Sequence, residues 1–343
     1  MIEFLSNAWP YAVAILLFLV MIVIHEFGHF IAAKLMGVRV NEFSVGFGPA
    51  IFKKQGKETL YALRAVPFGG YCAMEGEDDG SDDPRAFCNK SAWRRFIIII
   101  AGATFNIILG FILVMCILAP ANRFITTTVD GFHEQSRSSE VLMDGDKILR
   151  IGGRRVLSVY DLSYCLSNVE GDTLDMQVMR DGEKMKLTVP FDTEVVDGIN
   201  YVKIDFYLDT EPKTFTTFIS QSFTRTVSYV KVVWFSLIDL LTGKYGISQM
   251  SGPVGVTAAI GSAAKTGLSN LLAIIALITM NLGVFNLLPV PALDGGRAFF
   301  ILVEMIFRRP VPKKFEAVVH AAGLVILLGF IAVITVKDII GFF

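Results

Sequence analysis

The sequence predicts a polytopic α-helical membrane protein with about four transmembrane helices, a re-entrant β element and an inserted α+β domain. Hydrophobic residues make up 53% of the 343 residues, and charged residues make up only 18%. An average soluble domain has about 25% charged residues. Four apolar stretches are long enough for the roughly 20 residues of helix that cross a bilayer. A more polar region separates the second stretch from the third.

Charge and cysteine usage exclude two other classes of protein. The net charge is −1, whereas a nucleic-acid-binding protein normally has a basic surface, so we expect no nucleic-acid partner. The four cysteines show no CxxC spacing, which indicates free thiols rather than a disulfide scaffold. The first basic residue is Lys34 and the first apolar run has no cleavage site, so we expect an uncleaved transmembrane helix instead of a signal peptide.

The third apolar stretch differs from the other three because it is broken. The predicted spans are Trp9–Gly37, Phe96–Ala119, a third that begins near Leu271, and Ala317–Val336. The third is interrupted at Pro289 and Pro291 and resumes through Phe299 to Phe307. Irregular backbone at membrane depth is tolerated only where it faces protein or a water-filled cavity. The interruption therefore indicates a polar site inside the membrane.

Basic residues concentrate in two of the loops and predict the orientation. They lie between the first two spans (Arg39, Lys53, Lys54, Lys57, Arg64, Arg85, Lys90, Arg94, Arg95) and between the last two (Arg308, Arg309, Lys313, Lys314). Short loops rich in Lys and Arg stay in the cytoplasm. We therefore expect a multi-pass membrane protein, with both termini and the middle region outside the cytoplasm.

The middle region has the pattern of a small soluble domain. Its predicted strands are Lys147–Ile151, Thr173–Met179, Lys184–Val189 and Tyr201–Phe206, with a short helix over Ser158–Ser167. The run from Val141 to Gly153 resembles the core signature of PDZ domains, which implies an exposed groove that accepts a peptide or substrate tail as an added strand. The expected segments are an N-terminal membrane half (1–121), the PDZ-like domain (122–208), a connecting segment (209–270) and a C-terminal membrane half (271–343).

An amphipathic helix is predicted from Phe215 to Leu241, within the connecting segment. Apolar residues at helical spacing are Val227, Val230, Trp234, Leu237 and Leu241. We favour a helix that lies on the membrane surface. A helix packed on the soluble domain fits the pattern about equally well.

The first span ends in the motif His25-Glu26-Phe27-Gly28-His29. Residues four apart share one face of a helix, so both imidazoles can bind one metal ion. Glu26 lies beside them and can act as a general base on an attacking water. Ionisable groups inside an apolar span mark functional sites, because placing them there is costly.

A third metal ligand has to come from another segment. A catalytic zinc usually has three protein ligands and one open position. Asp294, in the broken third span, is the best-placed ligand, although it can also be an N-cap for the helix that follows. His320, Glu304 and Asp338 lie near the ends of other apolar segments and are alternatives.

These motifs identify a resemblance to the site-2 protease family of intramembrane zinc metalloproteases, especially RseP-like members with PDZ domains. The family motifs are the HExxH at His25 and the NxxPxPxLDG run from Asn286 to Gly295; further similarity lies at Val45–Pro49, Pro67–Tyr71 and Ser251–Val254. The resemblance implies that His25, His29 and Asp294 bind one zinc ion and that Glu26 is the base. It also implies that Asn286 contacts the substrate backbone or stabilises the oxyanion. The chain departs from the family at Cys72-Ala73-Met74 and has room for only one PDZ domain.

The expected activity is hydrolysis of peptide bonds within transmembrane segments. The resemblance implies a protein of the bacterial inner membrane. It also implies that single-span proteins such as an anti-sigma factor, or remnant signal peptides, are the substrates within the lipid bilayer. A re-entrant β element is expected to hold the unwound substrate, with contacts at Gly46, Phe47, Gly48, Gly69 and Gly70; an ordinary cytoplasmic linker is the alternative. A membrane adaptor and a metal transporter are the competing functions.

Four polar residues inside the spans admit two interpretations. They are Thr104, Asn106, Thr279 and Asn281. They can line a water route to the metal, or they can hydrogen-bond one helix to another. We favour the hydrogen bonds between helices.

Overall fold

A computed structural model describes residues 2–77, 80–167, 169, 171–196, 199–244, 246 and 250–341. The chain forms two compact units. The first consists of Met1–Leu113 together with Asp239–Phe343, and the second, the inserted unit, of Val114–Ile238. Both expected membrane halves, 1–121 and 271–343, thus contribute to the first unit, and the inserted unit extends beyond 122–208 at both ends.

Helices dominate the first unit and strands the second. The described helices are α1 (Ile2–Leu35), α2 (Ala92–Leu118), α3 (Val159–Cys165), α4 (Phe215–Leu241), α5 (Pro253–Thr266), α6 (Leu268–Leu287), α7 (Asp294–Phe307) and α8 (Lys313–Gly341). The described strands are β1 (Val40–Gln55), β2 (Leu60–Met74), β3 (Arg123–Phe132), β4 (Lys147–Ile151), β5 (Arg154–Arg155), β6 (Thr173–Arg180), β7 (Glu183–Pro190), β8 (Thr193–Val196), β9 (Ile199–Val202) and β10 (Phe206–Pro212).

Four of the described helices are long and apolar enough to cross a membrane. They are Ala12–Leu35 within α1, α2, α6 and α8. This agrees with the four predicted spans. The predicted interruption of the third span is also present, because α6 ends at Leu287 and α7 begins at Asp294. At 1.5 Å per residue, the 14 residues of α7 cover about 21 Å, less than the roughly 30 Å of a hydrocarbon core.

Strands β1 and β2 form a β element that packs against α1. Both strands bend, so the two halves of each strand lie side by side as separate rows of the sheet. Glu42 near the start of β1 pairs with both Leu60 and Ala73, at opposite ends of β2. Gly46 and Gly69 have φ values of +85° and +101°, a backbone conformation that side chains with a Cβ rarely adopt. The glycines therefore allow two long strands to fold into one compact sheet.

The inserted unit is built on an antiparallel sheet of order β10-β3-β4-β6-β7, with β5 paired to β4. Buried aliphatic and aromatic residues form its core, among them Val129, Ile148, Val178 and Phe191. Strand β4 has the predicted bounds. The predicted strand Tyr201–Phe206 is wrong in part, because the chain leaves β9 at Val202 and begins β10 at Phe206.

Helix α4 packs on the inserted unit through a buried acidic side chain. The carboxylate of Asp161 in α3 accepts hydrogen bonds from the hydroxyl of Ser228 (2.7 Å) and the ammonium of Lys231 (2.9 Å). Tyr160 and Tyr229 add a ring contact with centroids 4.4 Å apart. These contacts favour the second interpretation of the amphipathic helix. Phe223, on the same helix, remains 64% exposed.

Candidate metal centre

Helix α1 brings the two histidines of the HExxH motif together. His25 and His29 are buried, and their Nε2 atoms lie 3.2 Å apart. The spacing of four residues places both rings on one face, one turn apart. Two nitrogen atoms from this pair are thus available to a single ion.

Helix α2 fixes the second ring. Nδ1 of His29 lies 2.9 Å from the carbonyl oxygen of Ile98, which can only accept a hydrogen bond. The proton of the neutral ring is therefore on Nδ1, and Nε2 keeps its lone pair for a metal. The two helices approach closely because Gly28 of α1 lies against the backbone of α2. A Cβ at Gly28 would lie 2.6 Å from the carbonyl oxygen of Ala101.

The loop between α6 and α7 carries Asp294 to the histidines. Its backbone turns sharply at Ala292, with φ +75°, and the Ala292 N–H donates to Nδ1 of His320 at 2.9 Å. Gly295 and Gly296 follow, and a Cβ on either would lie within 2.5 Å of a loop carbonyl oxygen. The loop therefore folds tightly against the start of α7, which only glycines permit.

Asp294 is the first residue of α7, and its side chain does not cap the helix. The residue at the cap position is Leu293, which makes no side-chain hydrogen bond. Oδ2 of Asp294 instead lies 3.0 Å from Nε2 of His25 and 3.2 Å from Nε2 of His29. The N-cap interpretation is therefore wrong, and the side chain points at the histidine pair.

The three atoms form a triangle that fits a tetrahedral zinc ion. Its sides are 3.0, 3.2 and 3.2 Å. Ligands about 2.0–2.1 Å from a tetrahedral metal are separated by roughly 3.3 Å. Oδ2 of Asp294 is also a buried oxygen with no well-aligned hydrogen bond within the described residues. Two imidazoles and one carboxylate are a donor set that suits catalytic zinc and leaves one position open.

The alternative ligands are engaged elsewhere. Glu304 forms an ion pair with Arg95 at 2.5 Å. Asp338 accepts hydrogen bonds from the backbone N–H groups of Gly252 and Gly255, at the start of α5. His320 holds Ala292, as described above. Within the described residues, only His25, His29 and Asp294 form a group of three or more metal-ligating side chains.

The β element contacts Glu26, the second residue of the motif. A Cβ at Gly70 would lie 3.4 Å from Cγ of Glu26, so β2 passes directly beside this side chain. Gly69 lies under the ring of Phe47, where a Cβ would come within 2.0 Å of a ring carbon. Phe47 is nevertheless 46% exposed. Of the predicted loop contacts, Gly70 thus lies beside Glu26, and the neighbouring Gly69 packs against Phe47.

The remaining predicted residues are Gly46, Gly48 and Asn286. Gly46 and Gly48 occupy the bend of β1, and a Cβ at Gly46 would lie 2.6 Å from the carbonyl oxygen of Val66. Asn286 lies in the last turn of α6 and is partly buried. Its side chain forms no hydrogen bond to the described part of the chain, so it is available to a ligand.

One residue at the site was predicted only as a contact between helices. Nδ2 of Asn106, in α2, lies 3.2 Å from Nδ1 of His25. Thr279 of α6 donates to the carbonyl oxygen of Asn106 at 3.4 Å, so the predicted hydrogen bonding between helices is present. A polar side chain at the centre of an apolar span was the available signal. No local sequence pattern indicates that the partner of Asn106 is a histidine of the motif.

Sequence comparisons match the chain to one protein family and to several relatives. The model of the family described as Peptidase family M50 matches residues 13–330. A protein of Clostridium perfringens named as a zinc metalloprotease is 37% identical, over 95% of this chain and 97% of its own length. Proteins with the same description from Clostridium acetobutylicum (36% identical, 96% of both chains) and Fusobacterium nucleatum (33% identical, 96% of this chain and 98% of its own length) are also similar.

Proposed function

The chain belongs to peptidase family M50, the site-2 proteases, and is a zinc metalloprotease with several apolar helices; on this premise we propose that it cleaves other membrane proteins within their transmembrane segments. One observation carries the proposal. The His25, His29 and Asp294 side chains converge on one point, and both histidines belong to a helix that is long and apolar enough to cross a bilayer. A protease whose metal site lies among such helices acts on peptide bonds at membrane depth. Family membership also favours the enzyme over the adaptor and the transporter.

Each polar group of the site has a defined task in the proposed reaction. His25, His29 and Asp294 hold the zinc ion. Zinc, when bound, supplies Lewis acidity, which makes a water molecule more acidic and polarises the scissile carbonyl. Glu26 takes a proton from the attacking water and passes it to the leaving amine. Asn286 donates a hydrogen bond to the carbonyl oxygen as negative charge develops there.

The β element supplies a surface for the substrate. A helical substrate hides its peptide bonds behind its own backbone hydrogen bonds, so it has to be unwound and held extended before cleavage. The segment Gly70–Met74 pairs on one side with the first half of β1 and runs beside Glu26. Addition of an extended peptide to a strand edge provides backbone hydrogen bonds without sequence preference. Phe47, exposed above Gly69, is placed to contact a substrate side chain.

The inserted unit is proposed to be a single PDZ-like domain on the outside of the cytoplasmic membrane. Its antiparallel sheet with one short helix, α3, supports this assignment. The domain would either bind a substrate tail or admit only substrates that have already been shortened. Single-span regulators, such as an anti-sigma factor, and remnant signal peptides are the proposed substrates. Both termini are proposed to share the outer side, because the basic loops lie between the spans.

Cleavage of a single-span substrate in proteoliposomes tests the function. Wild type is compared with Glu26→Gln, which removes the base but keeps the shape of the side chain, and with Glu140→Gln, the same change on an exposed residue of the inserted unit. We expect wild type and Glu140→Gln to produce the same fragments. Glu26→Gln should lose cleavage by more than about 100-fold while retaining zinc. Equal cleavage by wild type and Glu26→Gln would remove Glu26 from the reaction, and no cleavage by wild type would contradict the proposal.

A further inference from the structure

The two histidine rings of the site are held in different ways. Nδ1 of His29 is fixed by a backbone carbonyl, that of Ile98. Nδ1 of His25 has a side-chain partner instead, the amide of Asn106 at 3.2 Å. A metal-bound histidine is usually oriented by a group at its other ring nitrogen, and loss of that group weakens metal binding.

Asn106 is itself held firmly in place. The residue is fully buried at the middle of α2. Gly283 of α6 packs so closely against it that a Cβ there would lie 3.4 Å from Cβ of Asn106. Cβ of Asn106 is therefore held against α6, whereas the amide at the end of the side chain can still turn.

The second atom of the same amide has no partner. Oδ1 of Asn106 is buried and accepts no hydrogen bond within the described residues. A buried amide oxygen without a hydrogen bond destabilises the fold, so its presence calls for a reason. The oxygen and nitrogen of an amide occupy nearly the same volume, and a half-turn of the side chain exchanges them.

We propose that Asn106 is the positioning residue for His25, and that its amide turns to present Oδ1 to Nδ1–H of the ring when Nε2 binds the metal. A neutral histidine bound through Nε2 carries its proton on Nδ1, which needs an acceptor. In the orientation described here, Nδ2 donates to Nδ1, and Nε2 then carries the proton and faces Asp294 at 3.0 Å. One amide thus serves both tautomers of His25. The inference rests on the proposed metal site.

Cobalt substitution of the full-length protein separates this role from a structural one. Tetrahedral cobalt gives d–d absorption bands whose energy and intensity report ligand geometry, independently of activity. We compare wild type with Asn106→Leu, which removes the amide at similar volume, and with Asn106→Asp, which retains an acceptor. Thr279→Val is the matched control, because Thr279 contacts the backbone of Asn106 and not the ring.

We expect Asn106→Leu to bind zinc and cobalt about 10–100-fold more weakly than wild type and to show altered bands. Asn106→Asp should restore both affinity and spectrum, and Thr279→Val should change neither. Unchanged affinity and bands in a folded Asn106→Leu would overturn the role of Asn106. Should Asn106→Leu not fold, a folded Asn106→Asp decides, since loss of the bands in that variant also overturns it. Absence of bands in wild type would instead contradict the metal site itself.

Discussion

Gly102 of α2 faces His29 so closely that a Cβ at this position would lie 2.3 Å from Nε2 of the ring. The same Cβ would lie 2.8 Å from Cε1 of His25. Non-bonded carbon and nitrogen atoms do not approach to such distances. The absence of a side chain at position 102 is therefore what allows α2 to pack against both histidines of α1.

We predict that Gly102→Ala empties the metal site. The added methyl group displaces His29 or separates the helices, and a shift of about 1 Å suffices to lower activity about 100-fold. Zinc per chain, measured by elemental analysis of the purified protein, should fall well below that of wild type. Gly329→Ala in α8 is the control, because nothing lies within 4 Å of its Cβ. Full zinc content and activity in Gly102→Ala would show that the site is not packed as described.

Gly70→Ala should separate metal binding from catalysis. A methyl group here would lie 2.8 Å from the carbonyl oxygen of Ser44 and 3.4 Å from Cγ of Glu26, and it touches no metal ligand. We expect kcat to fall by about 10–100-fold with zinc content unchanged, because the clash with Ser44 displaces the part of β2 that lies beside Glu26. Gly80→Ala, with nothing within 4 Å of its Cβ, should behave as wild type. Wild-type kcat in Gly70→Ala would contradict the placement of β2 beside the base.

The stability of the inserted unit should depend on one buried ion pair. Asp146 is fully buried and accepts from Arg180 through Nε (2.8 Å) and Nη2 (2.6 Å), and from the N–H of Met143 (2.9 Å). Burial raises the pKa of Asp146, but these hydrogen bonds outweigh it and hold the pKa below the usual value. Asp146→Asn should lower the free energy of unfolding by about 3 kcal/mol, because Arg180 loses its charged partner.

The pH dependence follows from the lowered pKa of Asp146. A carboxyl whose pKa is lower in the folded state stabilises fully above its unfolded-state pKa of about 4, and this stabilisation disappears as the pH falls through the folded-state value. The protection factors of the β4 and β6 amides against hydrogen exchange should therefore fall in wild type below about pH 4. Asp146→Asn should have lower protection factors at pH 7 that depend less on pH, whereas exposed Asp130→Asn should match wild type. Identical pH profiles in all three would contradict this account.

Features that follow from a local pattern in the sequence could be predicted, whereas contacts between distant segments could not. The four spans follow from apolar length, and the pairing of His25 with His29 follows from helical spacing. Asp294 could be predicted because prolines and glycines around it break a span. The partnership of Asn106 with His25 depends on the rotation of α2 against α1. Close packing at Gly28 and Gly102 fixes that rotation, and no local pattern records it.

The misassigned strand and the two interpretations of α4 have similar causes. The prediction of one strand over Tyr201–Phe206 followed β-forming residues, whereas the chain breaks there so that Phe206–Pro212 can pair with β3. An amphipathic pattern shows that a helix has an apolar face, but not what covers that face. The contacts of Asp161 with Ser228 and Lys231 favour a helix packed on the inserted unit over a helix on the membrane surface.

In the proposed enzyme, Asp294 of α7 completes a zinc site with the two histidines of α1. The decisive measurement of this role is the zinc content of Asp294→Ala, purified in parallel with wild type and shown to be folded. We predict about one zinc ion per chain in wild type and a large loss in the variant, because two imidazoles alone leave the ion weakly held. Wild-type protein without stoichiometric zinc, or an Asp294→Ala variant with undiminished zinc, would contradict the account.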